Sequence, residues 1–154
     1  MEAVEVLKID QKHICEFLNR LEATGDASEK REIVKDLHSE LHDYLRVKET
    51  LFYPQFSGFS EMSNCVDQAF RDHLVIRELA KKVDETLDSE ETVDLINELT
   101  DQIRRHMTFQ EQDFFPKARR MLGMIKMHQL GEFLIEAKEW NYSHRQKGSQ
   151  PIAA

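Results

Sequence analysis

The chain has 154 residues, of which 40% are hydrophobic and 32% are charged, with only 5 Gly and 3 Pro. This length is typical of one domain, and the scarcity of helix breakers favours an all-helical fold. A formal net charge of −8 at pH 7 argues against nucleic acid and anionic membranes as partners. The acidic N-terminus lacks secretory features and no stretch is apolar enough to span a membrane, so we expect a cytoplasmic protein.

Apolar residues at alternating three- and four-residue spacing predict four long helices and a shorter fifth one. Ser28 and Ser89 are the expected N-caps of the second and fourth helices, and Pro54 and Pro116 are expected to end or kink those helices. The predicted ranges in chain order are 2–23, 29–53, 63–87, 90–115 and 125–142.

The short connections between these helices predict antiparallel neighbours, and hence an up-down-up-down four-helix bundle followed by the fifth helix. We expect residues 1–142 to form this bundle. Residues 143–154 are polar and are expected to form a flexible tail.

The regularly spaced apolar residues of each long helix form a stripe along one face of that helix. In each of the four stripes, a polar residue stands at a position where the spacing predicts an apolar one. Burying such groups without partners costs about 1–3 kcal/mol each, so we expect them to meet one another, an ion or water. Helix bundles build metal and cofactor sites from facing side chains of this kind. The residues, in chain order, are Gln11, Tyr44, Lys48, His73, His106 and Gln110.

The ends of the second and fourth helices repeat each other. Residues 44–54 align without a gap with residues 106–116, and both segments end in Pro. Since residues i and i+4 lie on one helix face, each segment can offer two groups to a central site. The aligned polar pairs are Tyr44 with His106 and Lys48 with Gln110.

These features resemble the hemerythrin-like family of HHE cation-binding domains. The resemblance rests on the four helices, their Phe-Tyr-Pro and Phe-Phe-Pro endings and the Asp72-His73 pair, and it covers about residues 1–142. It implies a carboxylate- and oxo-bridged di-iron centre in a protein that binds oxygen, stores or senses iron, or handles peroxide or nitric oxide. Iron is therefore the expected cofactor, with dioxygen, peroxide or nitric oxide as the small ligand, and an enzymatic role stays open.

The resemblance also supplies a predicted ligand set. The family's histidines in the third and fourth helices match His73 and His106, and Tyr44 stands at the histidine position of the second helix. Some family members carry a fourth-helix carboxylate one residue later, a position that Glu111 occupies here. The predicted iron ligands are His73, His106, Tyr44 and Glu111.

Other family positions carry residues that are poor iron ligands. Gln11 stands where the first helix usually has histidine, and Lys48 and Gln110 stand at the positions of the two bridging glutamates. A protonated lysine would repel a dication unless burial lowers its pKa. The alternative prediction is a metal-free bundle whose Gln, Tyr, Lys and His centre binds a small polar ligand or is structural.

A second candidate metal site lies off the bundle axis. His38 and His42 have the i, i+4 spacing of a ligand pair, and His13 and Glu49 could complete a site for a metal such as zinc. The alternative is that these histidines face solvent or a homodimer contact, because such pairs arise easily by chance.

Overall fold

The computed structural model describes residues 1–148, which contain five α-helices and no β-strand. The predicted helical bundle with a further C-terminal helix is confirmed, with α1 packed against α2 and α5, and α3 against α4. Within the described range, no helix has the length and apolar character needed to cross a bilayer. The helices are α1 (Ala3–Ala23), α2 (Ala27–Val47), α3 (Ser63–Glu85), α4 (Thr92–Phe109) and α5 (Phe115–Gly148).

Both α2 and α4 end in a π-helical turn, over Lys48–Phe52 and Gln110–Phe114 respectively. The two turns fall at matching positions of the sequence repeat. A π turn adds one residue to the helical period and is frequent at functional sites. The added residue changes the inward face, so Phe52 is fully buried whereas Leu51, which a regular three- and four-residue spacing from Tyr44 and Lys48 would place inward, is only half-buried.

The N-caps differ from the predicted ones. Asp26, rather than Ser28, caps α2, because its carboxylate accepts the backbone N–H groups of Ser28 and Glu29. Ser89 does not cap α4 either. It lies in a turn in which its carbonyl accepts the N–H of Thr92, the first residue of α4.

The fifth helix is longer than predicted. Pro116 stands in the first turn of α5, where a missing N–H is tolerated, so it begins a helix rather than interrupting one. Gly123 has a φ of 77°, which kinks α5 and favours glycine there. The helix continues to Gly148, past the predicted boundary at residue 142, and residues 149–154 of the predicted tail lie outside the described residues.

An aromatic layer joins the two halves of the repeat. Phe52 and Phe114, the last residues of the two π turns, are fully buried with ring centroids 5.6 Å apart. The ring of Tyr53 lies 5.2 Å from that of Phe114 and 5.3 Å from that of His73. This layer packs directly against the polar residues of the bundle interior and holds the two π turns together.

Candidate functional site

The polar residues that interrupt the helix stripes are buried together in the bundle interior. Gln11 Nε2 donates to the Tyr44 hydroxyl over 3.0 Å, and Lys48 Nζ lies 4.0 Å from the centre of the Tyr44 ring. The rings of His73 and His106 are 4.9 Å apart. We call this group the central cluster; its members, all between 0 and 4% exposed, are Gln11, Tyr44, Lys48, His73, His106 and Gln110.

Lys48 links the two sides of the central cluster. Its Nζ lies 2.7 Å from His106 Nε2, and no carboxylate in the described part of the chain forms an ion pair with it. Burial lowers the pKa of Lys48 well below its ordinary value, and the carboxylates of Asp72 and Glu49 offset this only in part. The Tyr44 ring stabilises an ammonium by about 2 kcal/mol, whereas burying an ion costs several kcal/mol. The balance favours an uncharged amine.

Each histidine of the central cluster is oriented by a carboxylate. His106 Nδ1 donates to Asp72 Oδ2 over 2.9 Å, and His73 Nδ1 donates to Glu49 Oε1 over 2.7 Å. Arg77 holds Glu49 in turn, with N–O distances of 2.5 and 2.9 Å. These contacts fix the proton on Nδ1 and leave the Nε2 lone pairs directed inward.

Both inward Nε2 atoms already accept hydrogen bonds. Lys48 Nζ donates to His106, and the buried Tyr53 hydroxyl donates to His73 over 3.0 Å. Burial lowers the pKa of His73 to about 4 and that of His106 to about 3, so both rings are neutral at pH 7. Burial also raises the pKa of Tyr53 well above 10, which keeps its phenol protonated.

Two amide side chains of the central cluster have atoms without hydrogen-bond partners. These atoms are Gln11 Oε1 and both Oε1 and Nε2 of Gln110. The Gln110 amide is close enough to the Tyr53 hydroxyl to lower its pKa, but the pair does not meet hydrogen-bond geometry. A buried unpaired amide group costs about 1–3 kcal/mol, so these atoms are the polar groups of the central cluster with unused hydrogen-bonding capacity.

Four antiparallel helices with carboxylate-oriented histidines in their interior agree with one family model, described as the hemerythrin HHE cation binding domain. It matches residues 2–118, a range that contains α1 to α4. The chain belongs to the hemerythrin HHE cation-binding family. No curated protein and no solved structure matched it. Membership makes it part of a metal-binding family, typically of iron.

The donor set of this hemerythrin-family member does not fit a carboxylate-bridged di-iron centre. Such a centre requires carboxylate oxygens beside the imidazole nitrogens. The central cluster contains no carboxylate, since Asp72 and Glu49 face the Nδ1 atoms of the histidines rather than the Nε2 atoms. The Nε2 of His106, which would coordinate iron, is occupied by Lys48.

The structure brings together three of the four predicted iron ligands, His73, His106 and Tyr44, around Lys48. Glu111 is the exception. It is exposed and lines a depression between α1 and α4. Within the π turn of α4, Gln110 takes the buried position and Glu111 the exposed one.

The second candidate metal site is not assembled as predicted. His38 bonds through its two ring nitrogens to backbone carbonyls, including that of Ala80 in α3 over 2.7 Å. His42 is exposed, and Glu49 is directed to His73 on another side of the bundle. Of the predicted set, His13 alone belongs to a cluster of metal-ligating groups.

That cluster consists of Asp10, His13 and Glu40, whose ligand atoms lie within 4.8 Å of one another. Lys138 Nζ lies 2.7 Å from Asp10 Oδ1, so the buried carboxylate already has a cation. The Nδ1 of His13 and the Oε1 of Glu40 are 3.7 Å apart. The contacts describe an ion-pair network on the rim of a cavity between α1, α2 and α5.

Sequence reasoning missed the supporting roles of Asp72, Glu49 and Tyr53. The sequence does contain one signal for Asp72. Asp10 and Asp72 are separated by as many residues as Tyr44 and His106, so the two aspartates stand at equivalent positions of the repeat. The repeat therefore spans all four helices and places an acidic residue before an inward polar residue twice. Tyr53 also differs from its repeat partner Phe115 by a hydroxyl, which the structure places on His73.

Proposed function

We propose that this hemerythrin-family bundle has exchanged the family's metal centre for a buried amine, and that the central cluster binds a small ligand there. The observation that carries the proposal is the fully buried Lys48 Nζ, 2.7 Å from the nitrogen of His106 that would coordinate a metal. The amine takes the place of a cation and donates the hydrogen bond that satisfies the imidazole.

The charge balance of the interior supports this exchange. The resemblance places Lys48 and Gln110 at the positions of the family's bridging glutamates, so two negative charges are missing from the central cluster. Without them, two ferric or ferrous ions would be buried with little compensating charge, which is strongly unfavourable. A neutral amine and a neutral amide need no such compensation.

The unpaired amide atoms support the binding of a small molecule. Gln11 Oε1 can accept one hydrogen bond, and the Gln110 amide can both donate and accept. Two surface depressions approach the central cluster, one lined by Gln11 and the other by Tyr44, but Lys48 lines neither of them. A ligand that reaches the amine must therefore be only a few atoms in size.

The competing function is iron-based binding of dioxygen, peroxide or nitric oxide at His73, His106, Tyr44 and Glu111. Its support is the pair of carboxylate–histidine contacts, an arrangement that commonly orients metal-ligating imidazoles. It requires Lys48 to leave His106 and Glu111 to turn inward.

Metal analysis of protein produced in iron-supplemented medium, together with its visible spectrum, distinguishes the two functions. We expect far less than one iron per chain and no ferric-oxo band. The Lys48→Glu, Gln110→Glu double variant supplies two carboxylates and should gain iron, whereas the Lys48→Met control should not. About two irons per chain with an oxo band in the parent protein would overturn the proposal.

A further inference from the structure

We infer that Asp10, His13 and Glu40 form a cation site away from the central cluster, which binds a zinc ion in exchange for the ammonium group of Lys138. The three ligand atoms lie within 4.8 Å of one another, and the three side chains line one cavity between α1, α2 and α5. This site shares no side chain with the central cluster, so it is independent of the proposed function.

Two neighbouring helices bring the three ligands together. Asp10 and His13 are three residues apart in α1, a spacing that places both side chains on one face of the helix. An acidic residue followed three positions later by histidine is also a pair that helix bundles use to hold metal ions. Glu40 faces this pair from α2, with its Oε1 3.7 Å from His13 Nδ1. The packing of α1 against α2 therefore places all three side chains around one point.

The donor set favours zinc over the other common divalent cations. It consists of one imidazole nitrogen and two carboxylate oxygens, both of which zinc binds at about 2.0–2.2 Å, whereas calcium and magnesium prefer oxygen alone. At those bond lengths the ligand atoms around a tetrahedral ion are about 3.4 Å apart. The 3.7 Å between His13 and Glu40 is close to this value. The remaining separations, at most 4.8 Å, exceed it by no more than about 1.4 Å, which side-chain rotation can close.

The ammonium group of Lys138 shows where a cation is stabilised. Lys138 reaches across from α5 and places its Nζ 2.7 Å from Oδ1 of Asp10, whose side chain is only 7% exposed. A buried carboxylate requires such a compensating positive charge. The lysine side chain itself is 32% exposed and can turn its ammonium group into solvent when an ion of higher charge binds. Zinc binding would thus exchange an ion pair between α1 and α5 for a metal link between α1 and α2.

The cavity beside these ligands has the volume and the charge for a hydrated dication. Its volume is about 280 Å³, whereas a water molecule in the liquid occupies about 30 Å³. Three carboxylates, those of Asp10, Glu40 and Asp43, line it together with the basic side chains of Lys138 and Arg145. Arg145 lies nearer to Asp43, at 3.1 Å, than to Glu40, at 3.9 Å. When Lys138 withdraws, a dication compensates Asp10 and Glu40, and its fourth coordination position stays open to water from the cavity.

Titration of the full chain with zinc, after treatment with a chelator, tests the site by isothermal titration calorimetry. We expect one zinc ion per chain. His13→Gln changes a side chain that is 51% exposed, so the fold should be kept, and the loss of one of three protein ligands should weaken binding by at least about tenfold. The matched control, His42→Gln, changes an exposed histidine of α2 and should bind zinc as the parent does.

Lys138→Met provides a readout in the opposite direction. It removes the competing cation, so zinc should bind about tenfold more tightly than to the parent. Lys126→Met, which changes an exposed lysine of the same helix, should leave the affinity unchanged. A variant that merely loosens the fold would not gain affinity, so this result does not depend on an unaltered stability.

Three results would overturn the zinc site: no binding at about 0.1 mM zinc, equal affinity of the parent and His13→Gln, or no gain in Lys138→Met. The second result would assign the bound zinc to other donors, such as Cys15 or Cys65. Each would leave Asp10, His13 and Glu40 as an ion-pair network only. The proposed function is tested separately by the iron content of the parent protein, because iron in the central cluster would refute that function whether or not zinc binds at His13.

Discussion

Replacing Lys48 with Met removes the buried amine and keeps an unbranched side chain of similar volume. In the unfolded chain a lysine titrates near pH 10.4, whereas burial lowers the folded pKa of Lys48 well below that value. Between the two pKa values the unfolded chain binds one more proton than the folded chain. The free energy of unfolding of the parent should therefore rise with pH up to the unfolded pKa, and Met should abolish this contribution.

The size of the effect follows from one proton. Where Lys48 is neutral when folded and charged when unfolded, the parent gains about 1.4 kcal/mol per pH unit relative to the variant. Two pH units that lie between the folded and the unfolded pKa should thus change the difference in unfolding free energy by about 3 kcal/mol. That is a large fraction of the 5–15 kcal/mol typical of a domain.

The pH window separates Lys48 from the groups around it. The two histidines have folded pKa values of about 4 and about 3, and the unfolded value is near 6.5, so their titration lies below pH 7. Burial raises the pKa of both tyrosines, so in the folded chain they titrate above the window. The titratable groups that face or influence Nζ are Tyr44, Tyr53, His73 and His106 and, as carboxylates, Asp10, Glu49 and Asp72.

Urea unfolding of the parent and Lys48→Met at several pH values from 7 to 9.5 measures the difference directly. Lys35→Met, which changes an exposed lysine, should follow the parent at every pH. Parallel profiles for the parent and Lys48→Met would show that Nζ reaches water. A parent that loses stability relative to Lys48→Met as the pH rises would show that a carboxylate holds the ammonium form. Either result would refute the buried neutral amine.

Three further predictions concern the surrounding framework. His73 and Arg77 hold the folded pKa of Glu49 at about 2, below its ordinary value of 4.5, so its stabilisation should be lost as the pH falls from about 4.5 to 2. Acid titrations of unfolding free energy should show this loss in the parent and not in Glu49→Gln. Tyr53→Phe leaves the Nε2 of His73 without its donor and should cost about 1–3 kcal/mol in urea unfolding. In Gly131→Ala the new methyl group would overlap the backbone at the start of α1 and lower the free energy of unfolding by about 1–3 kcal/mol. Gly25→Ala is the control, because open space surrounds Gly25 and the added methyl group meets no atom. The melting temperatures of the two variants and the parent measure the difference.

The apolar periodicity of the sequence predicted the helices and the inward position of each polar residue in the central cluster, because burial follows the 3.6-residue period closely. The periodicity gave a wrong inward position where the backbone departs from 3.6 residues per turn. A π turn cannot be predicted from the spacing of apolar side chains, and a regular helical spacing would place Leu51 in the core position that Phe52 occupies. The carboxylate partners were missed because they depend on neighbouring helices. Asp72 reaches from α3 to a histidine of α4, and His38 finds its carbonyl partner on α3.

The π turn of α2 also determines how easily this interior can change by mutation. In an ordinary α-helix a one-residue deletion rotates every later side chain by about 100° relative to the residues before it. The Lys48–Phe52 turn already contains an additional residue, so deleting Lys48 would leave a regular helix whose flanking residues keep their orientation. Glu49 would then occupy the inward position one turn after Tyr44. The loss of a single codon, with no substitution anywhere, would convert an amine-bearing interior into a carboxylate-bearing one.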